Sequence, residues 1–152
     1  ALEYKDIENH IIAAERNTLL MEGFDYGNSP YHYIDSDVTG NTLVLTTTNG
    51  TKAIHLAKEH KVITASFLNI DAVVNYLVKD FNDIIILCSG WKGYFNLEDP
   101  LFAGALSEKL LSKSIFTSSC DSMNASIQLY SIAKPDLFKF LNIPKLYTLY
   151  PH

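Results

Sequence analysis

The sequence predicts an α/β fold with layered helices around a largely parallel sheet built from successive strand-turn-helix units. Three observations predict it. From Asn41 onward a short β-branched or aliphatic run is followed by a polar turn and an amphipathic stretch, and the pattern repeats. The run Ile84-Ile85-Ile86-Leu87-Cys88 is apolar at every position, as a central parallel strand covered on both faces would be. No stretch is long or polar enough to act as a linker. Strand-helix units in succession imply right-handed crossovers with helices over the sheet, and such sheets bind ligands at the carboxyl ends of their strands.

The elements follow in chain order. Residues 1–40 form a less regular lobe, in which Ile7, Ile11 and Ile12 suggest a short helix or strand and residues 23–30 a structured loop. The first unit runs from Leu43-Val44-Leu45-Thr46-Thr47 through Thr48-Asn49-Gly50 into a helix over 51–59, where Ala53, Ile54 and Ala57 recur at helical spacing. In the second, Val62-Ile63-Thr64-Ala65-Ser66 reads as a strand. Ala72, Val73, Tyr76 and Leu77 then mark a helix with Asn69 or Asp71 as its cap. The third pairs the strand at 84–88 with a helix from about 98 to 111. Beyond Ser112 two more helices are expected, over 121–132 and 135–141, with Pro135 suited to a first turn. The reading is a single domain over 1–152, with a strand-helix core at 41–112 and a helical tail at 113–152.

Composition bounds the function. With 47% apolar and 19% charged residues in 152, the chain is globular and buries about two-thirds of its unfolded surface. A net charge of -5 without a Lys/Arg block argues against a nucleic acid or an anionic membrane as the main partner, so any anion must be bound locally. The longest apolar runs fall short of the roughly 18–20 residues needed to span a bilayer. The chain opens at Ala1, and nothing near its start has the pattern of an export signal. Cys88 and Cys120 lack Cys-x-x-Cys spacing and read as reduced thiols of a cytoplasmic protein, Cys88 as a buried one.

Four constellations could carry chemistry. In Thr46-Thr47-Thr48-Asn49-Gly50-Thr51 a strand ends in hydroxyls, passes Asn-Gly and opens a helix, which gathers backbone N–H groups and donors into an anion cradle. Gly50 would allow a positive φ or a close backbone approach. The plain alternative is an Asn-Gly turn with a Thr cap. The loop Gly23-Phe24-Asp25-Tyr26-Gly27-Asn28-Ser29-Pro30 displays a carboxylate, an amide and a hydroxyl, or is a surface turn satisfying its own backbone. Glu98 and Asp99 open a helix after Ser89-Gly90 and Gly93, and hard oxygens there suit Mg²⁺; acids in a first helical turn are also stabilised by the helix dipole alone. Glu15 and Arg16 follow the apolar run 11–14, so Arg16 could fork onto a phosphate or sulfonate, or the two could form a surface ion pair. The five histidines show no metal spacing and read as structural or exposed.

Taken together and in order, Ala14-Glu15-Arg16, the Gly23 to Pro30 loop, Thr46 to Thr51, Ser66 with Asn69 and Ala72, Cys88-Ser89-Gly90, Leu97-Glu98-Asp99 and Ala103-Gly104 resemble the 2-phosphosulfolactate phosphatases. The resemblance runs from about residue 13 to 111. It implies a magnesium-dependent phosphomonoesterase converting 2-phospho-3-sulfolactate to 3-sulfolactate and phosphate, a step toward coenzyme M. By the same resemblance, Asp25, Glu15 and Asn28 serve catalysis. Arg16, Ser29, Thr46, Thr47, Thr48, Asn49, Gly50 and Thr51 hold substrate, and Glu98 and Asp99 hold Mg²⁺. The expected partner is a small phosphorylated or sulfonated acid, and a homodimer is one option for assembly. The alternative is a non-catalytic anion-binding domain of the same descent. Family members are longer and open with an Asp-x-x-Arg, Thr-rich segment unmatched here, as expected of a trimmed chain or a divergent relative.

Overall fold

The computed structural model describes residues 1–16, 19–34, 38–80 and 82–142, with the backbone alone at 15–16 and 19–20. The end of the expected tail, 143–152, lies outside the described residues. The chain divides into two compact units, Ala1–Val62 and Ile63–His152.

The first unit is built on strands β1 (His10–Arg16), β2 (Leu19–Leu20) and β3 (Thr42–Thr46), in the sheet order β2-β1-β3. β1 and β3 run parallel from His10↔Thr42 to Ala14↔Thr46, while β1 and β2 pair antiparallel through Glu15↔Leu20 and Arg16↔Leu19. The run Ile11 to Ala14 suits the middle position, because consecutive apolar residues point to opposite faces of a strand. Ile12, Ala13 and Ala14 are all buried. β3 lies at the other end of the sheet order, and its Leu43 and Leu45 keep 43% and 46% of their surface. A 3₁₀ turn at Leu2–Tyr4 and two short α-helices complete this unit, α1 (Tyr31–Ile34) after Pro30 and α2 (Gly50–Leu56) after the Thr-rich turn.

The second unit is helical: α3 (Ile70–Asp80), α4 (Glu98–Leu111), α5 (Asp121–Ala133) and α6 (Leu137–Leu141). Ile70, Val73 and Val74 fall on one face of α3 by the i, i+3, i+4 rule and pack with Ala105, Leu106 and Leu110 of α4. α4 is buried on most of its circumference, from Pro100 and Leu101 through Ser107. It meets α5 at Gly104, where a methyl group would run into the Ser126 carbonyl and the Tyr130 Cβ, so only glycine lets the backbones approach. Lys109 to Asp71 (2.8 Å) and Lys134 to Glu108 (2.5 Å) are exposed ion pairs that add little to this packing.

The α/β class holds, with helices and a parallel strand pair, but the sheet differs from expectation. Residues 62–66 and 84–88 form no strand and have no ladder partner among the described residues, so the second and third strand-turn-helix repeats lack their strands. In 84–88 Ile84 and Ile86 pack against the helical core while Ile85 and Leu87 keep 86% and 53% of their surface. The segment is thus covered on one face, not two. The parallel neighbour of β3 comes instead from the first sixteen residues. α4 has its expected bounds, whereas α2 stops at Leu56 and α6 starts at Leu137, because Asp136 rather than Pro135 caps it by accepting from the Lys139 N–H (2.9 Å). Among the described residues no helix is long and apolar enough to cross a membrane.

Candidate functional site

Register decides what meets in the first unit. Because Ala14 stands opposite Thr46 in a parallel pair, β1 and β3 end at one rim. Tyr26 forms a parallel bridge with Ala13 on the other edge of β1, and its carbonyl accepts from the Ala14 N–H at 3.0 Å. Gly27, Asn28 and Ser29 therefore leave the sheet at the same rim as the Thr46 to Thr51 turn. The two are separated by two strand spacings, about 10 Å, with the end of β1 between them. Arg16 and Glu15 close β1 there, although their side chains lie outside what the structure describes.

The glycine-rich loop is stitched to β1 by side chains. Asp25 Oδ2 accepts from the Ile12 N–H at 2.9 Å, and the Asp25 N–H donates to the Ile12 carbonyl at 3.0 Å. One carboxylate oxygen is thereby committed to the strand edge. Gly27 is buried, with its N–H donating to His32 Nδ1 (2.9 Å) and its carbonyl accepting from the Tyr33 hydroxyl (2.6 Å). A Cβ at Gly27 would come within 2.8 Å of the imidazole, which is why glycine stands here. Burial, and secondarily Tyr26, push the Tyr33 hydroxyl up, so it stays a donor. Beyond the clamp Asn28 is exposed and Ser29 half-buried. His32 and Tyr33 went unnoticed in the sequence; the available signal was a pair of hydrogen-bonding aromatics one turn after Gly-Asn-Ser-Pro.

The Thr-rich turn also closes on itself. The Thr51 hydroxyl donates to the Thr47 carbonyl and the Thr51 N–H reaches Thr47 Oγ1 at 3.4 Å, so Thr51 braces the turn. Asn49 occupies the cap position of α2 with its carbonyl accepting from Ala53 (3.0 Å), and its side chain makes no cap bond. Gly50 is not among the positive-φ glycines. Its role is close approach, since a Cβ there would lie 3.0 Å from Thr47 Oγ1.

In the second unit Glu98 and Asp99 open α4, as expected. Asp99 Oδ2 accepts from the Gly90 N–H at 2.7 Å and from the Ser89 hydroxyl at 3.4 Å, which fixes the turn in which Trp91 and Tyr94 exchange backbone bonds. Gly90 has φ 66° and Gly93 φ 83°, conformations that suit glycine. Glu98 is exposed, and its N–H is met by Asn96 Oδ1 at 3.4 Å. Cys88 is exposed, not buried as expected, yet partial desolvation, with the Asp99 charge second, pushes its thiol up. Cys88, Ser89, Gly90 and Asp99 line an open groove of ≈ 690 Å³ together with Phe95, Ser122 and Leu129, within the range of about 300–1,000 Å³ usual for small-molecule sites; Glu98 is not part of its lining. Among the described residues no three His, Cys, Asp or Glu side chains are grouped to hold a metal. The carboxylates at hand are Asp99, one oxygen of which is taken by Gly90 and Ser89, and the exposed Glu98, whereas magnesium commonly takes one or two carboxylates with water and substrate completing its shell.

Comparison with known proteins gives the family. A family model described as 2-phosphosulpholactate phosphatase matches residues 1–146. Similar proteins named "Probable 2-phosphosulfolactate phosphatase" include one from Caldanaerobacter subterraneus, 40% identical over 137 residues, covering 90% of this chain and 56% of the relative. Another, from Thermotoga maritima, is 48% identical over 110 residues, covering 72% of this chain and 48% of the relative. A third, from Thermotoga petrophila, is 48% identical over 103 residues, with 68% and 45% covered. The chain spans about half the length of the curated relatives it matches. With the Gly-Asn-Ser-Pro and Thr-Thr-Asn-Gly-Thr turns on one rim, either side of β1, and a match reaching from the first residue to 146, the chain belongs to the 2-phosphosulfolactate phosphatase family.

Proposed function

We propose that this chain carries the anion-holding rim of a magnesium-dependent phosphatase acting on a small phosphorylated acid, 2-phospho-3-sulfolactate, and releasing 3-sulfolactate and phosphate. The observation that carries the reading is the register of β1: it brings Asn28 and Ser29 on one side, and Thr46 to Thr51 on the other, to the end of a strand closed by Arg16. Family membership over 1–146 supplies the substrate class. The work asked of such residues is positioning and charge stabilisation, since a phosphoryl group needs neutralised oxygens and an in-line nucleophile. The Thr46 to Thr51 turn, with Arg16, would hold the two anionic groups. Glu98 and Asp99 would hold magnesium, which when bound supplies charge neutralisation and a more acidic water. Asn28 would orient the attacking water, with Asp25 or Glu15 taking its proton. A cytoplasmic setting and the step toward coenzyme M belong to the same proposal.

A second reading, a non-catalytic anion-binding domain, draws on one observation: Asp25 and Asp99 each spend a carboxylate oxygen on a backbone N–H. Phosphate release from phosphosulfolactate, with and without Mg²⁺, decides between them. Turnover that needs Mg²⁺ and falls about 100-fold in Asn49→Ala supports the enzyme. A melting-temperature rise with the same compound and no phosphate released supports the binding domain.

A further inference from the structure

Consecutive side chains of the short helix α1 take hold of both the N–H and the carbonyl of Gly27. The Gly27 N–H ends on His32 Nδ1 (2.9 Å) and the Gly27 carbonyl receives the Tyr33 hydroxyl (2.6 Å). The rings are packed as well as bonded. Tyr26 and Tyr33 have centroids 5.4 Å apart, and His32 stands 6.5 Å from each of them. Gly27 is buried between these groups, whereas Asn28, the next residue, is exposed at the rim. The peptide groups on either side of the Gly27 Cα are thus each held by α1, which restrains φ and ψ of Gly27 and with them the direction in which Asn28 and Ser29 leave it.

We propose that His32 and Tyr33 are positioning residues for the anion site, aiming Asn28 and Ser29 at it by clamping the Gly27 peptide groups. The inference rests on the phosphatase or anion-binding reading of the rim, and deepens it by naming what orders one of its sides. An N–H aimed at Nδ1 requires that nitrogen to be unprotonated, with the ring proton on Nε2. Tyr26 and Tyr33 pack on the imidazole, and burial holds the Tyr33 proton in place, so its hydroxyl stays a donor to Gly27.

The test uses the chain itself with sulfate as the probe, a dianion throughout the range from pH 5 to 8, and His32→Leu, His32→Asn and Tyr33→Phe as variants. In the wild type the Gly27 amide is expected to exchange slowly. His32→Leu should expose that amide and weaken sulfate at least about fivefold at pH 8, the loss of one hydrogen bond's positioning. His32→Asn, whose carbonyl can stand where Nδ1 stands, should restore affinity to within about twofold. Tyr33→Phe, which removes one atom, should weaken sulfate as well. Equal sulfate affinity in wild type and all three variants overturns the clamp. An affinity in His32→Asn no better than in His32→Leu does so too. A wild type that binds no sulfate, with Gly27 still protected, overturns instead the reading of the rim on which the clamp depends.

Discussion

The two units hold themselves together by different means. In the first, polar side chains grip main chain: Asp25 holds Ile12, His32 and Tyr33 hold Gly27, and Thr51 holds Thr47. In the second, apolar side chains of α3 and α4 remove area from water, with Gly104 letting α4 and α5 approach. A hydrogen bond contributes about 1 kcal/mol net and is directional, whereas a buried leucine contributes about 2–3 kcal/mol and is indifferent to direction. The first unit thus gains aim at its rim and the second gains bulk stability. That division suits the proposed anion rim, which would have to present donors at set positions.

The comparison breaks first at Leu101, which is 0% exposed in α4. Leu101→Ala should cost about 3 kcal/mol in denaturant unfolding, through lost transfer energy and the cavity left behind. A cost below about 1 kcal/mol would mean that the second unit is not packed as a core. Next comes Asp25. Asp25→Ala should cost about 1–2 kcal/mol, because the Ile12 N–H loses its partner, while Asp25→Asn, which keeps an acceptor, should cost less than half of that. Equal costs in the two variants would assign the effect to charge and not to the stitch. If the wild type is an enzyme, Asp25→Asn should also lose turnover without losing stability, which separates proton transfer from scaffolding.

The smallest effect sharpens the contrast within the second unit. Cys88 and Cys120 are both exposed thiols. The Cys88 thiol is pushed up by desolvation and then by Asp99, whereas Cys120, at the N-terminal cap of α5, is pulled down first by the Met123 N–H and then by Ser122. At pH 7.5 more of Cys120 is thiolate, and it should be alkylated roughly three- to tenfold faster. Raising the pH closes the gap, since Cys88 ionises only in more alkaline solution. Asp99→Asn should narrow it as well, by removing the second cause at Cys88. Equal rates at pH 7.5 in the wild type would contradict both assignments.

How much could be read in advance follows from the range of each interaction. α3 was legible because helix hydrogen bonds join residues four apart and its buried face, Ile70, Val73 and Val74, recurs at helical spacing, so the pattern sits inside the segment. The Thr46 to Thr51 and Gly23 to Pro30 turns were legible as motifs for the same local reason. The runs at 62–66 and 84–88 were not, since an apolar run names a candidate strand and only a distant partner makes it one. The histidines carried no spacing signal, and His32 acquires a role only because the loop folds back onto α1.

The amino-acid sequence by itself determined the helices, the polar turns and the family to which they belong, all carried by residues close together in the chain. Only the tertiary structure decided that His10–Arg16 is the strand beside β3, that Tyr26 flanks its other edge, and that Asn28 and Thr46 therefore share a rim. The physical reason is that strand register is a pairing between distant residues. One step of slip would turn every side chain to the other face, and nothing within either segment alone says where its partner stands.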